Sequence, residues 1–215
     1  MCTMAIDTTA FKTAQQNMDY DTRMMENLTG DTVAIRFYKW QSCGVTLPLN
    51  KPDIIPSINC DKGWRITGGG AVFHSPGDIV FSIAAKIDSP EFPKSFKDKL
   101  CVVTKWVEAG LAACEIPLQK EAPEVVKNLA FCTQYPSEYE RFNNNQKALA
   151  MAVRRFKDRW LVQGVIHTKT HADWHTILPK ELHPMLTSGL NKDVSLEALI
   201  KPLSSLGFQQ LPVSC

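Results

Sequence analysis

The chain has 215 residues, 44% of them hydrophobic, and a formal net charge of +2, from 24 Lys and Arg against 22 Asp and Glu. That length buries a sizeable core, and the near balance of charge gives no electrostatic case for nucleic acid; Arg154, Arg155, Lys157 and Arg159, the densest basic group, read as an ordinary solvated face. Seven scattered cysteines without a Cys-x-x-Cys pair, no signal-peptide start and no run of about 18 apolar residues lead us to expect one soluble cytoplasmic domain over residues 1–215, with no disulfide framework, no metal site and no membrane partner.

Thr13 followed by Gln16 forms a capping box, and Met18, Met25 and Leu28 then recur at helical spacing up to Gly30. Asp21 falls on the same apolar stripe, where a carboxylate must find donors, so it reads as a buried anchor. Residues 32–40, TVAIRFYKW, have the β-branched and aromatic content of a strand, which residues 45–47 continue. Pro48, Pro52 and Pro56 make residues 48–63 a loop. A further strand spans 78–86, with Ile79, Phe81 and Ile83 on one face.

Ser95 with Asp98 opens a helix whose apolar face is Phe96, Leu100, Val103, Val107 and Leu111. Residues 115–128, with two prolines, read as a connector with a short strand, and residues 148–153 and 159–167 as two strands joined near Lys157 and Asp158. His167, His171 and His175 would share a face and could ligate a metal if they stood on one helix; because His167 ends a strand, we expect none. Residues 179–186 and 195–206 read as closing helices, the second capped by Ser195 and kinked or split by Pro202. Antiparallel strand pairs with helices set apart indicate an α+β fold, a mixed and largely antiparallel sheet with packed helices.

The stretch RITGGGAVFH at 65–74 sets three glycines between an arginine and a β-type run. Each glycine in an extended element costs roughly 0.5–1 kcal/mol relative to alanine, so the run marks either a sharp bend or the close approach of another molecule. No Gly-Lys-Ser/Thr follows, and Phe73 stands where a dinucleotide fingerprint has its last glycine, which excludes both familiar phosphate motifs. The residues alone leave two readings, a plain glycine turn and a turn that presents N–H groups to an anion.

Taken in order and spacing, RFYKW at 36–40, RITGGGAVFH at 65–74 and the lysine of QKALAMAVRR at 146–155 resemble the lipoate-protein ligase and octanoyl/lipoyl transferase superfamily, most closely lipoate-protein ligase A. NMDYD at 17–21 and WLVQG at 160–164 agree more weakly. The resemblance implies the catalytic-domain fold shared with biotin-protein ligases. It also implies a substrate and adenylate site at Arg65, Thr67, Gly68, Gly69, Gly70, Ala71, Val72, His74 and Ala150. Lys147 matches the family lysine that contacts the acyl carbonyl and phosphate oxygens, where a fixed ammonium stabilises charge that gathers as the acceptor amine attacks. Without that match Lys147 reads as a surface lysine at a strand edge.

The chain also departs from the family. Trp64 replaces the first of two arginines, Pro48 and Ala150 replace glycines, and Gln163 replaces a common histidine. If position 150 needs positive φ, alanine there costs more than about 1 kcal/mol and alters the local turn.

By resemblance, the activity is ATP-dependent ligation. ATP with Mg2+ converts lipoic acid to lipoyl-AMP, and a lysine of a lipoyl acceptor domain, from a 2-oxoacid dehydrogenase E2 or the glycine cleavage H protein, takes the acyl group. The family's full-length ligases carry a C-terminal accessory domain, and the resemblance leaves open whether a separate subunit supplies it here. Cys132 in CTQYPSEYE resembles the segment that holds the acylated cysteine of some octanoyltransferases. It implies an alternative, ATP-independent transfer with Cys132 as thioester nucleophile. Following Leu129, Ala130 and Phe131, the same cysteine also reads as a buried structural residue. A third reading, a non-catalytic lipoyl or adenylate binder, rests on the departures at Trp64, Ala150 and Gln163.

Overall fold

A computed structural model describes residues 4–120 and 137–212. In chain order the elements are β1 (Met4–Asp7), α1 (Ala14–Glu26), β2 (Val33–Lys39), β3 (Gly44–Pro48), β4 (Asp61–Arg65), β5 (Val72–His74), β6 (Ile79–Lys86), α2 (Phe96–Ala113), β7 (Arg141–Asn143), β8 (Gln146–Arg155), β9 (Arg159–Ile166), α3 (Trp174–Ile177) and α4 (Leu196–Ser205). Two 3-10 turns, Lys180–Met185 and Phe208–Gln210, complete the set among the described residues.

The strands form two sheets rather than the one expected. Six strands run in the order β1-β2-β6-β9-β8-β7, parallel at β1–β2 and antiparallel elsewhere. A smaller sheet has the order β4-β3-β5, with β3 parallel to β4 and antiparallel to β5. The fold is therefore α+β with mixed, largely antiparallel pairing, as the strand pattern indicated.

Strand β6 shows how the layers stack. Its side chains from Ile79 to Ala85 are all buried, so both faces of the large sheet are covered. Ile79, Phe81 and Ile83 enter the main core with Phe37 of β2, Trp106 of α2 and Leu199 and Leu203 of α4. Each such side chain contributes about 1.5–3 kcal/mol through removal from water. On the other face Val80 meets Ala14 and Met18 of α1 and Val72 of β5, which places α1 and the small sheet together over β6.

Helix α1 is entered through the expected capping box, in which Thr13 accepts from the N–H of Gln16 and the Gln16 side chain accepts from the N–H of Thr13. A carboxylate oxygen of Asp61 accepts from the N–H of Ala14 at 2.6 Å, tying the start of α1 to β4.

Several expectations are corrected. The loop over 48–63 ends early, because β4 begins at Asp61. Strands β1 and β7 were not anticipated; β7 joins β8 through Asn144 and Asn145, both left-handed (φ 46° and 61°), the backbone of a two-residue hairpin. Pro202 does not split α4, since Leu199 and Leu203 on either side are fully buried in the core and hold the helix by packing. Residues 180–185 form a 3-10 turn instead of an α-helix. Cys101 is disulfide-bonded, a departure from the cysteine pattern that pointed to no disulfide framework, whereas Cys43, Cys60 and Cys114 are free. No helix among the described residues is long and apolar enough to cross a membrane.

Candidate active site

The glycine turn bridges β4 and β5, which lie on either side of β3, so it arches over the end of β3 at Pro48. Alternation along β4 sends Trp64 outward and Arg65 inward. The buried Arg65 guanidinium then locks the turn, donating from Nη1 to the Thr46 carbonyl (2.8 Å) and hydroxyl (3.2 Å) and from Nη2 to the carbonyls of Gly68 (2.9 Å) and Gly70 (2.6 Å). The glycines divide the work. Gly69 has φ +96°, a conformation that side chains resist, whereas a Cβ on Gly68 would meet nothing within 4 Å. Gly69 makes the bend, and Gly68 leaves open space beside it.

Two neighbours fasten the turn to the rest of the site. Thr67 Oγ1 donates to Gln163 Oε1 at 2.8 Å, and Gln163 Nε2 donates to Asp21 Oδ2 at 2.8 Å. Asp21 in turn is ion-paired to Arg36 at 2.6 Å with both side chains fully buried, which makes it the anchor that its place on the α1 stripe indicated. His74 stacks on Trp40 with ring centroids 4.2 Å apart and shares a 2.9 Å hydrogen bond with Thr46 Oγ1. Burial holds the His74 imidazole well below the usual histidine range, so it is neutral at neutral pH.

These groups surround a small, half-open cavity between the two sheets. Its apolar walls are Met18 of α1, Val72 of β5, Val80 of β6, Ala150 and Met151 of β8 and Val165 of β9; Arg65, His74, Thr46 and Gln163 supply the polar edge. That lining suits a small apolar molecule with one polar end. Ala150 sits opposite Val165 in regular antiparallel register and is not among the residues with positive φ, so the turn expected to suffer from the lost glycine does not exist. Gly164 lines the cavity with backbone alone: a Cβ there would lie 2.1 Å from the ring of Phe81, its cross-strand partner.

Of the residues singled out in the sequence, Arg65, Val72, His74 and Ala150 therefore meet on one cavity, and Thr67 reaches it through Gln163. Ala71 is buried beside Phe73 in the apolar cluster behind the turn. Lys147 is not on the cavity wall. It is buried, not a surface lysine, and its ammonium lies 2.7 Å from Glu140 Oε2. Burial pushes the Glu140 carboxyl up, against the downward pull of Lys147. Cys132 lies outside the described residues. Burial pushes the Cys43 and Cys60 thiols up to about 11, so neither is a thiolate nucleophile at neutral pH.

The three histidines do not share a face. His167 follows β9 and pairs with Asp78 at 3.1 Å, His171 lies in the connection to α3, and His175 is on α3. Gln163 and Glu140 are the contributors that sequence reasoning did not assign. A lone amide inside the buried strand RWLVQGVI was a usable signal for Gln163. Glu140, in the polar run SEYER, offered none.

A model of the lipoyl protein ligase A/B catalytic domain matches residues 13–181. Among curated proteins none matches the chain. Among solved structures, protein Ta0514 of T. acidophilum with bound lipoic acid superposes with a TM-score of 0.70 at 17% identity, covering 92% of this chain and 81% of that one. A lipoate-protein ligase A bound with ATP gives 0.64 at 18% identity, with 92% and 81% coverage. A bi-partite lipoate protein ligase of Thermoplasma acidophilum, described with its E2 lipoyl domain, gives 0.63 at 16% identity, with 93% and 80% coverage. These likenesses show the fold, and the family match spans most of the chain: it belongs to the lipoyl protein ligase A/B catalytic-domain family.

Proposed function

We propose that the chain is an ATP-dependent lipoate-protein ligase acting on a lysine of lipoyl acceptor domains, of the E2 or H-protein type. The observation that carries this reading is the apolar cavity with an Arg65-locked glycine turn at its polar edge, in a member of this family. Met18, Val72, Val80 and Val165 take the acyl chain. The open side of Gly68 lets the lipoate carboxylate and the α-phosphate of ATP approach the turn backbone. A carboxylate oxygen attacks the α-phosphorus, pyrophosphate leaves, and the acceptor amine then attacks the acyl carbonyl and expels AMP.

Lys147 acts by exchanging Glu140 for the oxygens on which charge builds. Mg2+ would arrive with the ATP phosphates, as it commonly does. The carboxylates beside the cavity do not form a cage for it: Asp21 is committed to Arg36 and Gln163, and Asp78 to Ser75, Thr168 and His167. We therefore assign it no step. The similar structures support the substrates, since one holds lipoic acid, one ATP, and one is described with an E2 lipoyl domain. The bi-partite relative supports an accessory subunit here as well.

The test is mass spectrometry of a lipoyl acceptor domain incubated with the protein and lipoate, with and without ATP and Mg2+, and with an accessory subunit added. Lipoylation that requires ATP and is lost in Lys147→Ala is the expected result. Modification from an octanoylated carrier protein without ATP, with a hydroxylamine-labile adduct absent from Cys132→Ser, would replace the ligase with the thioester route. Lipoate binding without turnover in any arm would leave a binder.

A further inference from the structure

Beyond the cavity, metal-ligating side chains converge at the small sheet. One donor atom from each of Cys43, His171 and Asp173 lies within 4.8 Å of the other two. The donors come from separate segments, Cys43 from the residue before β3 and the other two from the connection between β9 and α3.

That connection is positioned without any ion. The His171 N–H and the Trp174 indole N–H both donate to Ser75 Oγ at 3.1 Å. The Trp174 ring is fully buried and meets Phe73 edge-on at 5.2 Å. His171 and Asp173 are thus carried on a backbone already pinned to β5.

A second thiol stands close in the fold. Gly44 of β3 is in register with Asp61 of β4, so Cys43 and Cys60 each precede a member of the same register pair. Both pack against the apolar cluster that contains Phe73 and Trp174. Cys60 lies outside the cluster of donor atoms, and the thiol, imidazole and carboxylate within it are a donor set that selects a borderline-soft, tetrahedral cation over Mg2+ or Ca2+. Ligand atoms in such a site stand about 3.5 Å apart, which the half-exposed Cys43 and His171 and the exposed Asp173 reach by rotating side chains.

We propose that Cys43, His171 and Asp173, with water completing the coordination, form a binding site for a zinc-type divalent cation that clips the segment after β9 to the sheet carrying the glycine turn. The site stands apart from the ligase reaction and does not depend on that assignment.

Full-length protein, stripped with chelator and held reduced, is titrated with Co2+ and then Zn2+. The expected result is a thiolate-to-cobalt charge-transfer band with visible bands of tetrahedral geometry, displaced by Zn2+, and a higher Tm with Zn2+ bound. Cys43→Ser and His171→Ala each weaken Co2+ binding by at least the roughly 10–100-fold that even outer partners of a metal site command. Cys114→Ser and His175→Ala leave the spectrum unchanged. Should Cys43→Ser fail to fold, protection of wild-type Cys43 from alkylation by Zn2+ reads the same site. The proposal is overturned by a spectrum without a charge-transfer band, by bands that survive Cys43→Ser, by loss of binding in His175→Ala, which would move the cation to the His175–His183 pair, or by alkylation of Cys43 that Zn2+ does not slow.

Discussion

Two buried ion pairs of this molecule are built in opposite ways. In Arg36–Asp21 every arm of the guanidinium is used: Nε donates to the Thr9 carbonyl, Nη1 to Asp21 and the Asn17 carbonyl, Nη2 to the Asn17 side chain, and the plane lies 3.9 Å from the Tyr38 ring centroid. Asp21 spends its second oxygen on Gln163. In Lys147–Glu140 a compact ammonium on a flexible stem meets a carboxyl that also accepts from the N–H of Ser137. A planar fork with all its bonds committed is a fixed wall, whereas a point charge can be handed from one oxygen to another. The contrast makes the first pair architecture and accords with the role proposed for Lys147 in the second.

The largest expected effect tests the fixed pair. Asp21→Ala strands a buried guanidinium and should cost about 3–5 kcal/mol in denaturant unfolding; a cost below about 1 kcal/mol would erase the distinction. Next, Lys147→Ala should lower acceptor lipoylation by roughly 10²–10³-fold, the loss typical of one transition-state donor. Its stability cost should be smaller than that of Asp21→Ala, because burial already favours the protonated Glu140 that remains. Equal stability losses would show that the second pair is architecture too.

His74 sharpens the comparison from the other side, as a buried titratable ring without a carboxylate partner. Burial holds its folded pKa well below the ordinary histidine value near 6.5, so the unfolded chain binds the extra proton as pH falls below that value. Stability should hold above pH 6.5 and fall beneath it by up to about 1.4 kcal/mol per pH unit, and His74→Gln should flatten the profile in thermal melts. Smallest are the turn glycines. Gly69→Ala, at φ +96°, should cost about 1 kcal/mol or more. Gly68→Ala should stay within about 0.5 kcal/mol in stability yet weaken lipoate and ATP binding in calorimetry, because its methyl enters space that the protein leaves open.

Much of the fold was legible because helical and strand periodicity is a local property. The capping box at Thr13, the Ser95 helix and the strands expected at 32–40, 78–86, 148–153 and 159–167, observed at 33–39, 79–86, 146–155 and 159–166, follow from it. The short strands β1, β4 and β7 were not legible, since three to five residues carry too little pattern and their pairing is decided by distant partners. The site divides in the same way. The glycine turn was visible as a run of residues with unusual backbone freedom, but the use of Arg65 as a clamp on its carbonyls depends on β4 and β5 flanking β3. Asp21 announced itself by interrupting an apolar stripe. Glu140 did not, because its burial is imposed by the β7–β8 hairpin and nothing in its neighbourhood is apolar enough to foretell it.

The bare backbone of Gly164 has a further meaning for the proposed substrate. Since the Phe81 ring occupies the space where a side chain would stand, any group added at 164 must displace either that ring or β9 itself. The floor of the cavity is thus a thin partition whose other side is the sheet core. An acyl chain in the cavity would lie against this bare backbone, and the Phe81 ring behind it packs on Phe37, which in turn meets Trp106. Replacing Gly164 should therefore disturb the core and the cavity at once.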